Sequence, residues 1–180
     1  MNGSRKTVRP ARAGMHRAGA TIGLAAALTA AAAVPAHAAA PSAAPAGTRV
    51  TAVAGSDGSL TLHVSGGAAA LTARAVPSTS PAVTRVFVPS GGSTSCPSGY
   101  ACAGVPYGSG AYVFKFYRYG SYSLSYWGGR GVLYNHQTGG AAARYDNSGG
   151  GQIGCVPAGV LRNGVNWDPV WRIRLTSAGC

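Results

Sequence analysis

Carboxylate, imidazole and thiol are scarce in this chain, which has three acids, four histidines and four cysteines in 180 residues. The acids are Asp57, Asp146 and Asp168, and glutamate is absent. Paired-carboxylate acid–base catalysis needs two acids within reach of one bond. Past residue 95 only Asp146 and Asp168 could supply them. A Ser-His-Asp set could be assembled from His136, either aspartate and one of many serines. No Gly-x-Ser-x-Gly elbow presents such a nucleophile, however. His136 reads as a turn or surface residue, and His63, with no second ligand or base nearby, as a surface residue. Gly108-Ser109-Gly110 is followed by neither Lys-Ser/Thr nor a helix, so it is no phosphate loop. These residue types predict a protein that is not an enzyme and needs no cofactor or metal.

The cysteines carry a different chemistry. Cys96, Cys102, Cys155 and Cys180 are even in number and fall in the last half of the chain. In a small exported domain such a set reads as two disulfides. The Cys96-x5-Cys102 spacing is longer than the two to four residues usual between zinc ligands. Three connectivities are open. The expected one joins Cys96 to Cys102, bracing a short loop that carries Tyr100, and Cys155 to Cys180, tying down the last residue.

Strands and turns must position these cysteines. Residues 111–129 hold eight of the fifteen Phe, Tyr and Trp residues. Tyr112, Phe114 and Phe116 alternate with Val113, Lys115 and Tyr117, the period of a strand with one apolar face. Gly120 breaks the run, and Gly128-Gly129 closes it. Further strands are expected at 132–136, 141–145, 152–156 and 170–175, with a loop at 161–168. In the last strand Trp171, Ile173 and Leu175 should face inward, and Arg172 and Arg174 outward. No segment after the leader has a helical period. The fold class is therefore all-β, a small sandwich.

The chain divides into three parts. Residues 1–38 have the three regions of a secretory signal peptide. These are a basic leader (Arg5, Lys6, Arg9, Arg12, Arg17), an Ala-rich apolar run and the small-x-small Ala36-His37-Ala38. Met15 is an alternative start within the same kind of leader. Residues 39–94 are rich in Ala, Ser, Thr, Pro and Gly and read as a linker or pro-segment. Three patches within it, at 48–53, 59–64 and 85–88, could pair loosely but are too poor in large apolar residues to build a core alone. Residues 95–180 are the disulfide-braced β domain. No apolar run suits a membrane span. Five of the fifteen basic residues lie in the leader and none of the three acids does, which leaves ten against three. The remaining arginines are scattered, so no nucleic-acid footprint is expected. The expected protein is secreted and monomeric.

A faint repeat runs through the β domain. Tyr107 and Tyr145 are thirty-eight residues apart, and Trp127 and Trp167 forty apart. Each pair brackets a Gly-rich turn and strands, so two similar motifs should pack face to face. Five segments carry a resemblance: Cys96-Pro-Ser-Gly-Tyr-x-Cys102, Phe114-Lys-Phe-Tyr-Arg-Tyr-Gly120, Ser123-Leu-Ser-x-Trp127, Asn135-x-Gln-Thr-Gly-Gly140 and Asn166-Trp-Asp-Pro-Val-Trp171. Together they resemble secreted actinobacterial proteins of the peptidase inhibitor I36 family, itself similar to βγ-crystallins. The resemblance implies two Greek-key motifs and inhibition of an extracellular protease by loop insertion. Tyr100 is the first candidate contact, and the loop before Trp167 the second. The alternative is a structural, cell-surface or toxin-like interaction protein on the same scaffold. The stretches corresponding to the crystallin calcium loops are 128–133, without carboxylate or amide, and 167–172, with Asp168 alone. Calcium takes six to eight oxygens, so folding should not require it.

Overall fold

The computed structural model describes residues 49–65 and 75–180. The expected signal peptide, residues 1–38, lies outside the described residues. Thirteen strands and no helix make up the described fold. The first five are β1 (Arg49–Ala54), β2 (Ser59–Ser65), β3 (Ser78–Ser80), β4 (Thr84–Pro89) and β5 (Ser93–Ser95). They are followed by β6 (Tyr100–Tyr107), β7 (Gly110–Phe116), β8 (Gly120–Ser125) and β9 (Arg130–His136). The last four are β10 (Ala142–Asp146), β11 (Gln152–Pro157), β12 (Val160–Asn166) and β13 (Arg172–Thr176).

The strands form an all-β sandwich. One sheet has eight strands in the order β4-β7-β6-β9-β1-β2-β5, with β12 also paired to β9. The other has five, in the order β11-β10-β13-β8-β3. The repeat read from sequence is visible in the connectivity. In β6–β9, β6 and β7 form a hairpin, β8 crosses to the five-stranded sheet, and β9 returns beside β6. In β10–β13, β10 and β11 form a hairpin, β12 crosses to the eight-stranded sheet, and β13 returns beside β10. Each unit thus lends its third strand to the other unit's sheet, which locks the two together. This return of the fourth strand beside the first is Greek-key order.

Strand alternation fills two cores rather than one. Ala101, Ala103 and Val105 of β6, Phe114 and Phe116 of β7 and Leu133 of β9 point into the core between the sheets. There they meet Tyr122, Leu124, Tyr145, Ile173 and Leu175. Trp127 and Trp167, one from each repeat, meet in this core edge to face, 5.0 Å between centroids. The Trp167 indole N–H donates to the Gly104 carbonyl at 3.0 Å. Gly131 makes room for that contact, since a side chain there would strike both the Gly104 carbonyl and the indole.

The opposite faces of the same three strands are also buried. Cys102, Ala111, Val113, Val132 and Tyr134 form a second core with Val50 and Ala52 of β1, Leu60 and Leu62 of β2, and Val88 of β4. The β1–β2 hairpin therefore lies over the outside of β6, β7 and β9. Asn163 fastens it: its side-chain Oδ1 accepts from the Ala52 N–H at 2.7 Å, and its Nδ2 donates to the Ala52 carbonyl at 3.0 Å. The amide thus pairs with the edge of β1 as a neighbouring strand would.

Three expectations are corrected. Residues 39–94 are expected as a linker or pro-segment whose patches pair only loosely. Their described part instead supplies four strands, most of a fifth and several fully buried side chains. The patches are poor in apolar residues because they need only one apolar face, and β6, β7 and β9 supply the other. Residues 161–168 were expected as loop, but β12 runs through most of them as an edge strand with a bulge between Asn163 and Val165. A strand buried on so little of its surface shows no alternation to read. Trp171, expected to face inward, is 58% exposed, because β13 begins only at Arg172.

Candidate functional site

Both expected disulfides are present, Cys96–Cys102 and Cys155–Cys180. The first closes the loop bearing Tyr100, and other contacts hold that loop from two sides. The Cys96 N–H donates to the Gly58 carbonyl at 2.7 Å, from the β1–β2 turn. Gly58 has φ +79, and a side chain there would press on the Cys96 carbonyl and on His136. His136 Nδ1 lies 2.7 Å from the Cys96 carbonyl. A carbonyl only accepts, so Nδ1 carries the proton. The Gly99 N–H donates to the His136 carbonyl at 2.9 Å, and the Tyr100 N–H to the Pro97 carbonyl at 3.1 Å. The His136 ring stacks on Tyr134 at 5.0 Å. His136 is thus a brace for the loop.

Tyr100, the first candidate contact, lies just inside that loop. It is half-buried at the start of β6 and packs against the second core. Its ring lies 4.9 Å from that of Tyr117. Tyr117 and Tyr119, on the β7–β8 turn, are 61% and 56% exposed. The Tyr122 hydroxyl donates to the Arg118 carbonyl at 2.7 Å and steadies that turn. Burial pushes the Tyr122 phenol up, with nearby Arg118 opposing it. Tyr117 lines two depressions at once, of about 370 and 390 Å³. The first is also lined by Val83, Tyr100, Lys115 and Tyr122, the second by Gly99, Tyr119, Gln137 and Thr138, and Arg118 lines both. The result is an aromatic, basic ridge seated on the disulfide loop. In the sequence the Tyr117-x-Tyr119 spacing beside Gly120 is masked, because it continues the aromatic run of β7.

The candidate catalytic groups are not brought together. Asp146 is fully buried and held by Arg174, at 2.5 and 2.9 Å, and by Arg172 at 3.2 Å. Burial alone would raise its pKa. The hydrogen bonds and charges of Arg174, then of Arg172, outweigh burial and hold it below its ordinary value. Asp168 Oδ1 accepts from the Gly129 N–H at 3.1 Å. Asp57 Oδ1 accepts from the Ser59 N–H at 3.0 Å, a bond that lowers its pKa. Among the described residues no three of His, Cys, Asp or Glu gather as a metal would require. No described helix is long and apolar enough to cross a membrane. No protein-family model, characterised protein or solved structure matches the chain.

Proposed function

We propose that the protein is a secreted, monomeric inhibitor of an extracellular protease, presenting the Cys96–Cys102 loop and the adjoining Tyr117–Arg118–Tyr119 turn to its target. The observation that carries this reading is the bracing of the loop. A disulfide, the Gly58 carbonyl and His136 all hold it. A segment already ordered loses little entropy on entering a cleft. The exposed tyrosines beside it are large, semi-rigid side chains of the kind that dominate binding energy. Two disulfides suit an extracellular setting. The resemblance to I36 inhibitors selects proteases from among the partners such a ridge could serve.

Titration of the pure protein against thermolysin and against a subtilisin-type protease tests the proposal, with inhibition expected at micromolar concentration or below. Tyr117→Ala should then weaken inhibition by about tenfold or more and leave the melting temperature nearly unchanged, because that ring is mostly exposed. With both disulfides shown intact, failure to inhibit either class would replace this reading with that of a structural or cell-surface interaction protein.

A further inference from the structure

A third depression, of about 300 Å³, lies between the β8–β9 and β12–β13 connections. Leu124, Trp127 and Val170 line it with buried apolar surface. Tyr126 and Trp171 also line it, yet they are 65% and 58% exposed, and Asp168 adds a carboxylate. Tyr126 is held at φ 63 and is the single non-glycine residue among those described with positive φ. A bulky side chain rarely adopts that conformation, and where it does, the surroundings impose it. Here the surrounding backbone is pinned. The Leu124 N–H donates to the Trp171 carbonyl at 2.9 Å, and the Trp171 N–H to the Asp146 carbonyl at 2.9 Å. Asp168 is fixed by Gly129 at one carboxylate oxygen, and its N–H donates to Asn166 Oδ1 at 3.3 Å. Two aromatic rings and an acceptor are thus held out to solvent around an apolar floor, already ordered before any ligand arrives.

We infer that this depression binds a neutral, β-linked glucopyranose-type oligosaccharide. A pyranose whose substituents are all equatorial presents flat faces of C–H bonds. Those hydrogens carry partial positive charge and settle on the negative faces of aromatic rings such as Trp171 and Tyr126. Its edge carries hydroxyl donors, which the Asp168 carboxylate accepts strongly. An aromatic cage for a cation is the nearest rival chemistry. With the expected leader removed, ten basic residues against three acids leave +7, which opposes a cationic ligand and is indifferent to a neutral sugar. A proline-rich peptide offers carbonyl acceptors and few donors, and so leaves the carboxylate unserved. This site shares no residue with the tyrosine ridge, so it stands or falls apart from protease inhibition.

Calorimetric titration of the full chain with cellohexaose and with chitohexaose tests the inference. The two arms separate glucose from its N-acetylamino counterpart. Saturable binding of at least one is expected, with a change in tryptophan fluorescence. Trp171→Ala and Tyr126→Gly should each weaken that binding by about tenfold or more. Glycine accepts the left-handed backbone without strain, so Tyr126→Gly should keep or raise the melting temperature while binding is lost. That combination separates a ligand-contacting tyrosine from one needed for folding. Absence of binding to both sugars at millimolar concentration overturns the inference. So does binding that neither substitution changes, or tighter binding of a polyproline or lysine-rich peptide than of either hexasaccharide.

Discussion

The two four-strand units share a connectivity but finish their outer faces by opposite means. Outside β6, β7 and β9 lies a second apolar core, closed by the β1–β2 hairpin and the Cys96–Cys102 bridge. Outside β10 and β13 lies a polar network. There Asp146 is buried beneath Arg172 and Arg174, and Arg144 reaches Gln152 Oε1 at 2.7 Å and the Gly179 carbonyl. Cys155–Cys180 fastens the last residues on that side. A twofold-like frame therefore does not dictate how each sheet meets solvent. The apolar cover is non-directional and strong, burial of a leucine-sized side chain contributing roughly 1.5–3 kcal/mol. The ionic cover depends on geometry and on pH, and its net contribution is smaller because the carboxylate must first be desolvated.

Substitutions can break this contrast, and the largest effect is expected in the apolar cover. Leu62 is fully buried though it lies in a segment that reads as linker. Leu62→Ala should cost about 3 kcal/mol in urea unfolding. A loss near zero would show that the hairpin is a dispensable flap and that the first unit needs no cover.

Asp146→Asn addresses the ionic cover and should cost about 2 kcal/mol at neutral pH. The figure is kept low because both arginines are about one-third exposed in their side chains. Asp146 has a folded-state pKa below the ordinary 3.8. Its contribution is therefore present above that ordinary value and lost as pH falls through the lower, folded-state one. Unfolding curves of the parent and the variant should converge in acid. A difference that persisted undiminished there would assign the effect to shape rather than charge. Leu62→Ala should show no such convergence, which sharpens the contrast between the two covers.

Asn163→Ala should give the smallest effect, about 1 kcal/mol, by removing the two bonds to Ala52. Amide exchange at Ala52 should speed up more than exchange at Val113. Equal acceleration at both would mean that the hairpin and the central strands open as one unit rather than separately.

Much of the frame was legible in the residues. Alternation in 111–116 marks β7, and Gly-rich turns mark the hairpins. The Tyr and Trp spacings mark the two units. The short Cys96-x5-Cys102 interval already suggested a local bridge. The candidate site is legible only in part: the disulfide loop bearing Tyr100 stands out in the residues, while the exposure of Tyr117 and Tyr119 beside it does not. Exposure depends on what covers a ring, and here Tyr117 lies over Tyr100.

Residue types alone determined strand against helix, the places where the chain turns and the scarcity of groups that could perform acid–base catalysis. These follow from side-chain periodicity, from glycine and proline, and from composition, all local properties. Tertiary structure alone decided that β8 and β12 exchange sheets, that the weakly apolar strands β1 and β2 close a second core, and that Asp146 lies beneath two arginines. It also decided that Tyr126 and Trp171 stay in solvent while Trp127 and Trp167 meet inside. Each of these depends on which surface arrives from a distant part of the chain, and a strand's own pattern records that one face is apolar but not what will cover it.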